Sequence, residues 1–176
     1  MLILYFPRMI LMWLVASLSA PTPMTNPDAL ALLDTNVLIY ADQKKSRFHQ
    51  VAKALRDRAQ HGELLVCISP QVLAEFFSTV TRSDGRGLTQ PITPQEAADE
   101  VRKYLESEHI HKIYPTPGTW PILLSLIEKH PVTGHDIHDV HLAATMLSNG
   151  VSKIYTYNVK DFVPIPDIEV LNPLPL

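Results

Sequence analysis

The chain has 176 residues, a formal net charge of −3 and a single cysteine, a size that suits one domain with a substantial core. One cysteine excludes a disulfide framework and an intrachain zinc–thiolate cluster, and Cys67, inside Leu64-Leu65-Val66-Cys67-Ile68, reads as a small core hydrophobe. The acidic balance excludes a protein that holds nucleic acid by bulk surface charge. It does not exclude a site built of carboxylates, because bound cations reverse the local field.

Residues 1–24 read as an apolar extension, interrupted by Pro7 and Arg8. Ser17-Leu18-Ser19-Ala20 before Pro21 resembles a signal-peptidase site, yet Met1 to Phe6 carry no basic side chain ahead of the apolar run. Met24-Thr25-Asn26-Pro27-Asp28 supplies an ordinary polar start. The extension is therefore an over-extended gene start, a signal or an anchor, and residues 25–176 form the domain, expected in the cytoplasm and without a membrane partner of its own.

The first strand is Leu30-Ala31-Leu32-Leu33, and it stops abruptly at Asp34-Thr35-Asn36. Helices follow at 35–41 and 46–61, the second repeating apolar residues at Val51, Ala52, Leu55 and Ala59 before Gly62 ends it. A buried strand is predicted over 64–68. Pro70 opens a helix over 71–82 with Val72, Leu73, Phe76, Phe77 and Val80 on one stripe, and Glu75 lies off that stripe. Residues 83–93, with Gly85, Gly87 and Pro91, read as a loop or flap.

Thr93-Pro94-Gln95-Glu96 begins a helix that runs to about Glu106. A short strand over 110–114 and a helix over 118–129 come next. Residues 133–136 are expected to cap the helix that carries His138 to Ser148, and Asn149-Gly150 to end it. A strand over 153–157, a turn over 158–162 and an edge strand over 168–171 complete the chain. Strands alternating with helices imply an α/β fold with right-handed crossovers and a mainly parallel sheet.

An Asp at a strand's carboxyl end sits where open α/β sheets build their sites. Glu75, Asp139 and Asp161 each lie near an apolar element as well. Acids gathered in one pocket repel one another unless a hard divalent cation neutralises them, which points to Mg2+, with Mn2+ as an alternative. Such an ion activates water for attack on a phosphodiester, a chemistry that needs acids rather than a nucleophilic side chain.

Four blocks, in this order, are Leu32-Leu33-Asp34-Thr35-Asn36-Val37-Leu38, Ala74-Glu75-Phe76, Ile137-His138-Asp139-Val140-His141-Leu142-Ala143-Ala144-Thr145 and Thr156-Tyr157-Asn158-Val159-Lys160-Asp161-Phe162. In them the chain, from Leu30 to about Leu171, resembles the PIN-domain family and, within it, the toxin ribonucleases of VapC type. The resemblance implies a single PIN-like domain, its central sheet flanked by helices, and a Mg2+-dependent endoribonuclease acting on RNA. It implies Asp34 and Asp139 as metal ligands, Glu75 and Asp161 as further catalytic acids, and Thr35, Asn36 and Asn158 in support. Asn158 stands where many relatives place an acid. A cognate antitoxin and a homodimer are the partners it implies.

Each residue also has a plainer role. Asp34 can cap the following helix, Asp139 can complement a helix macrodipole, Glu75 can be a solvated flank and Asp161 a turn former. The spacing of His135, His138 and His141 spreads them round a helix, which argues for exposed or capping histidines over a zinc cluster. Lys44, Lys45 and Arg47, with Arg82 and Arg86 flanking the glycine-containing loop, are solvated charges unless they border the pocket, where they would meet RNA phosphates. Asn158 and the net charge leave room for a catalytically weak RNA-binding or interaction module. No Gly-rich loop follows any predicted strand to favour another phosphate-transfer fold.

Overall fold

The computed structural model describes residues 30–83, 90–130 and 132–173. The apolar extension 1–24, Arg86 and most of the expected flap lie outside the described residues. Along the chain come β1 (Ala31–Leu33), α1 (Thr35–Asp42), α2 (His49–Gln60), β2 (Val66–Ile68), α3 (Pro70–Thr81), α4 (Pro94–Glu106) and β3 (Ile110–Lys112). They are followed by α5 (Thr119–Lys129), a 3-10 turn (Gly134–Asp136), α6 (Ile137–Ser148), β4 (Lys153–Tyr155), α7 (Val159–Phe162) and β5 (Glu169–Leu171).

The five strands form one sheet in the order β3-β2-β1-β4-β5, and every neighbouring pair is parallel. The chain winds from β1 through β2 to β3 and then crosses to the other side of β1 to lay down β4. Strand order therefore reverses between β1 and β4, and it is at the carboxyl ends of such a pair that an open parallel sheet leaves a crevice. Asp34 follows β1 and Thr156 follows β4, which puts both residues at that crevice.

The strands are shorter than the apolar runs that predict them, for identifiable reasons. β4 ends at Tyr155 because Thr156 turns its hydroxyl to Asp34. β3 ends at Lys112, although Ile113 still donates to the Ile68 carbonyl at 3.0 Å before Pro115 removes the next-but-one donor. α2 begins at His49 rather than Ser46, since the Ser46 hydroxyl accepts from Phe48 N and closes a turn there. The expected caps at 133–136 are not formed: neither Thr133 nor Asp136 makes a side-chain cap bond, and the 3-10 turn leads directly into α6.

α3 is well specified by its sequence. Ser69 caps it by accepting from Val72 N, and Pro70 takes the first position, where its missing N–H costs nothing. Val72, Leu73, Phe76 and Val80 are buried on one face. Thr93 and Glu96 form a reciprocal capping box at the start of α4. The core is continuous from Leu30, Leu32 and Leu33 across Val66 and Ile68 to Phe76, Tyr104, Leu142 and Phe162.

Phe76 is fully buried, with its ring 6.2 Å from that of Tyr104. Truncating it to Ala is expected to cost about 3–5 kcal/mol in urea unfolding, because the surrounding helices and sheet cannot collapse into the space. A loss below about 1 kcal/mol would contradict this placement of the core.

Candidate active site at the carboxyl edge of the sheet

Asp34 is 7% exposed and is held from three sides. Its Oδ1 accepts from Thr35 N at 2.6 Å; its Oδ2 accepts from the Thr156 hydroxyl at 2.6 Å and from Asn36 Nδ2 at 2.5 Å. The helix-cap role and the site role thus coincide in one side chain, which caps α1 with one oxygen and meets β4 with the other.

Thr156 is fully buried and its hydroxyl is a junction. It donates to Asp34 and accepts from Asn36 Nδ2 at 3.0 Å and from Asn158 N at 2.9 Å. Asn36 completes the lattice by accepting from Tyr157 N at 3.0 Å. With both amide hydrogens and its oxygen engaged, Asn36 positions Asp34 and the turn after β4.

Glu75 comes to the same place from α3. Thr35 Oγ1 donates to Glu75 Oε2 at 3.0 Å, and Gln71 Nε2 donates to Oε1 at 2.8 Å. Gln71 also donates to the His138 carbonyl at 2.9 Å, while its Oε1 pairs with His141 Nδ1 at 2.8 Å. An ionised carboxylate and a carbonyl only accept, so the amide nitrogen must face them and its oxygen must receive a proton from His141 Nδ1. Glu75 is therefore tied to α6 through Gln71.

Asp139, in the first turn of α6, is partly buried, and among the described residues no hydrogen bond reaches its carboxylate. Burial pushes it up to about 6, reinforced by the charges of Asp161, Asp34, Glu75 and Asp136. Asp34 is also raised to about 6, chiefly by burial and further by the Glu75 charge, against the downward pull of Thr156, Thr35 and Asn36. Each acid thus makes the other costlier to ionise.

Asp34, Glu75 and Asp139 line one cavity of about 550 Å³, shared with Thr35, Asn36, Asn158, His138, Gln71 and the outward face of α3 as far as Arg82. Asp161 is close enough to raise Asp139, but it is not among the residues lining that cavity. Asn158 is exposed at its rim. Of the histidines, His138 lines the cavity, His135 stacks on His138 with ring centres 6.2 Å apart, and His141 serves Gln71. Lys44, Lys45 and Arg47 are exposed outside the cavity, and the Arg47 guanidinium lies 4.5 Å over the Phe48 ring.

Among the described residues no three His, Cys, Asp or Glu side chains stand close enough to cage a metal between them. Magnesium does not require such a cage, since it keeps several waters and takes one or two carboxylates together with substrate phosphates. The pair Asp34 and Asp139, raised and facing one cavity, fits that demand.

Thr156 and Gln71 are not singled out by sequence reasoning. Thr156 continues the apolar-polar alternation of its strand, and Gln71 reads as a solvated first-turn residue. The available signals are a hydroxyl directly after a buried strand and a Gln one helical turn before the acid.

An α/β domain with acids at the switch point of a parallel sheet is the arrangement described so far, and comparison with known proteins gives it a family. A family model for the PIN domain matches residues 31–163. The chain is 31% identical over 120 residues to the VapC ribonuclease Mb2897 of Mycobacterium bovis, covering 68% of this chain and 80% of that protein. It is 26% identical over 140 residues to ribonuclease VapC48 of Mycobacterium tuberculosis, covering 80% and 94%. Its fold is similar to that in a crystal structure of DNA-bound VapBC from Salmonella typhimurium, with a TM-score of 0.55, 20% identity and coverage of 84% and 99%. The chain belongs to the PIN-domain family, in its VapC ribonuclease branch.

Without a divalent ion, stability is expected to fall as pH rises. A carboxylate raised in the folded state lets that state bind more protons than the unfolded chain between about pH 4 and pH 6, so protonation favours folding there and ionisation opposes it. Asp139→Asn should flatten this fall and raise stability at neutral pH by about 1–2 kcal/mol, the low end reflecting its partial solvation. Thermal melts in chelator across that range check it; a wild type that gains stability over the window would contradict it.

Proposed function

We propose that the chain is a divalent-metal-dependent endoribonuclease and the toxin of a toxin–antitoxin pair. The observation that supports it most strongly is the convergence of Asp34, Glu75 and Asp139, from β1, α3 and α6, on one cavity at the switch point. Bringing these acids together raises Asp34 and Asp139 to about 6, a cost that a hard cation offsets. Magnesium suits the all-oxygen donor set, and manganese shares that preference.

Asp34 and Asp139 would hold the ion, which when bound lowers the pKa of a coordinated water and offsets charge on the phosphodiester. The chain's own residues carry the rest. Thr156, Thr35 and Asn36 fix the orientation of Asp34, so its free lone pairs face the cavity without reorganisation. Glu75, anchored by Thr35 and Gln71, stands across from Asp34 and accepts a proton or orients a water. Asp161 acts on Asp139 electrostatically, keeping that carboxylate proton-rich until a cation arrives. Asn158 at the rim offers a neutral amide oxygen to a water or to RNA.

Membership of the VapC branch supports a cognate antitoxin protein and a homodimer as partners, and RNA as substrate. Residues 25–176 are assigned as the nuclease unit, with 1–24 as an extension outside it. Among the described residues no helix is long and apolar enough to cross a membrane, and a cytoplasmic site of action follows from the substrate.

Total RNA should be cut by the wild type in magnesium, left intact in chelator, and cut at least about a hundredfold more slowly by Asp34→Asn. Equal cutting by Asp34→Asn would overturn the assignment. RNA binding without any cutting by the wild type would favour an interaction module, the reading that an amide at Asn158 otherwise invites.

A further inference from the structure

Residues 71, 74, 75, 78, 79 and 82 all line the acidic cavity. Their spacing of three and four is one face of a helix, opposite the buried stripe of Val72, Leu73, Phe76 and Val80. The whole outward face of α3 is therefore a wall of the cavity. Its chemistry changes in one direction: an acid at Glu75, hydroxyls one turn on at Ser78 and Thr79, and a guanidinium two turns on at Arg82. Arg82 is the only Lys or Arg in the lining.

From Glu75 to Arg82 is seven residues, roughly 10 Å along the helix at 1.5 Å per residue. That is too far for Arg82 to act on the phosphate held beside the acids. It is the right scale for a second phosphate of the same strand. The guanidinium also donates to Ser78 Oγ at 3.4 Å, which keeps it over the wall of the cavity. A guanidinium has five donors, so this bond leaves capacity for a phosphate.

We infer that Ser78, Thr79 and Arg82 form a phosphate subsite that grips single-stranded RNA one or two nucleotides from the cleaved bond. The inference rests on the ribonuclease reading and deepens it, because it gives the strand a direction: the reacting phosphate lies at the acidic end of α3 and the flanking phosphate at its basic end. Local charge of this kind lets a protein of net charge −3 hold RNA without a basic surface. A phosphate carries no base information, so the subsite sets register and not sequence.

The test is binding of a fluorescein-labelled single-stranded RNA of mixed sequence in magnesium, followed by anisotropy. It uses the Asp139→Asn background so that the strand is not consumed. Adding Arg82→Ala should weaken binding about tenfold, equally across sequences, and lower the salt dependence by about one phosphate contact. Arg82→Lys should recover part of the affinity, since a point charge replaces the fork. Replacing single phosphates by neutral methylphosphonates should reveal one position whose loss adds nothing further once Arg82 is Ala. Unchanged affinity and salt slope in Arg82→Ala, or strictly additive losses at every phosphate, would overturn the subsite. Failure of the nuclease reading looks different: the otherwise wild-type chain would bind the strand and leave it uncut.

Discussion

The structure depends on how one buried carboxylate is held at the point where the sheet reverses. Asp34 joins β1 to β4 through Thr156, caps α1 through Thr35 N, and is braced by Asn36. Remove its charge and the lattice loses its acceptor; leave it alone in the fold and burial makes ionisation costly. The hydrogen bonds lower its pKa and burial with Glu75 raises it, and the balance lies at about 6. The fold therefore carries a local destabilisation placed where a cation can relieve it, the pattern expected when stability is exchanged for function.

Thr35 and Gln71 extend this constraint to the rest of the site. Thr35 couples α1 to α3 by donating to Glu75, and Gln71 couples α3 to α6 by donating to Glu75 and to the His138 carbonyl. The three acids stand on three separate helices or helix starts, yet short hydrogen bonds link two of them to the same framework. Asp139 is the exception: its placement comes from α6 packing alone, through buried Val140, Ala143 and Ala144. It is consequently the acid most responsive to what fills the cavity.

The parallel α/β architecture and the three cavity acids were legible in the chain. β1 ends in Asp-Thr-Asn, Glu75 interrupts an otherwise apolar helix, and Asp139 opens one; each is an acid beside a strong periodic signal. Thr156 was not, because a threonine at a strand end looks the same whether its hydroxyl meets solvent or a buried carboxylate. Gln71 was hidden for a similar reason, as the partner that gives it meaning, His141, is distant in sequence. Asp161 lies between these cases: its sequence block placed it near Asp139, and only the cavity wall separates influencing an acid from lining the pocket with it. Strand lengths were over-read where apolar residues continue past the last ladder bond, as at 156–157.

The central claim is that Asp34 and Asp139 share one divalent-ion site, and calorimetric titration with manganese in two buffers of different ionisation enthalpy tests it most directly. The account predicts uptake near about pH 6 that releases protons, release that fades toward about pH 8, and weakening by about tenfold or more in Asp139→Asn. Manganese uptake that releases no proton near about pH 6, and is indifferent to substitution at both aspartates, would contradict it.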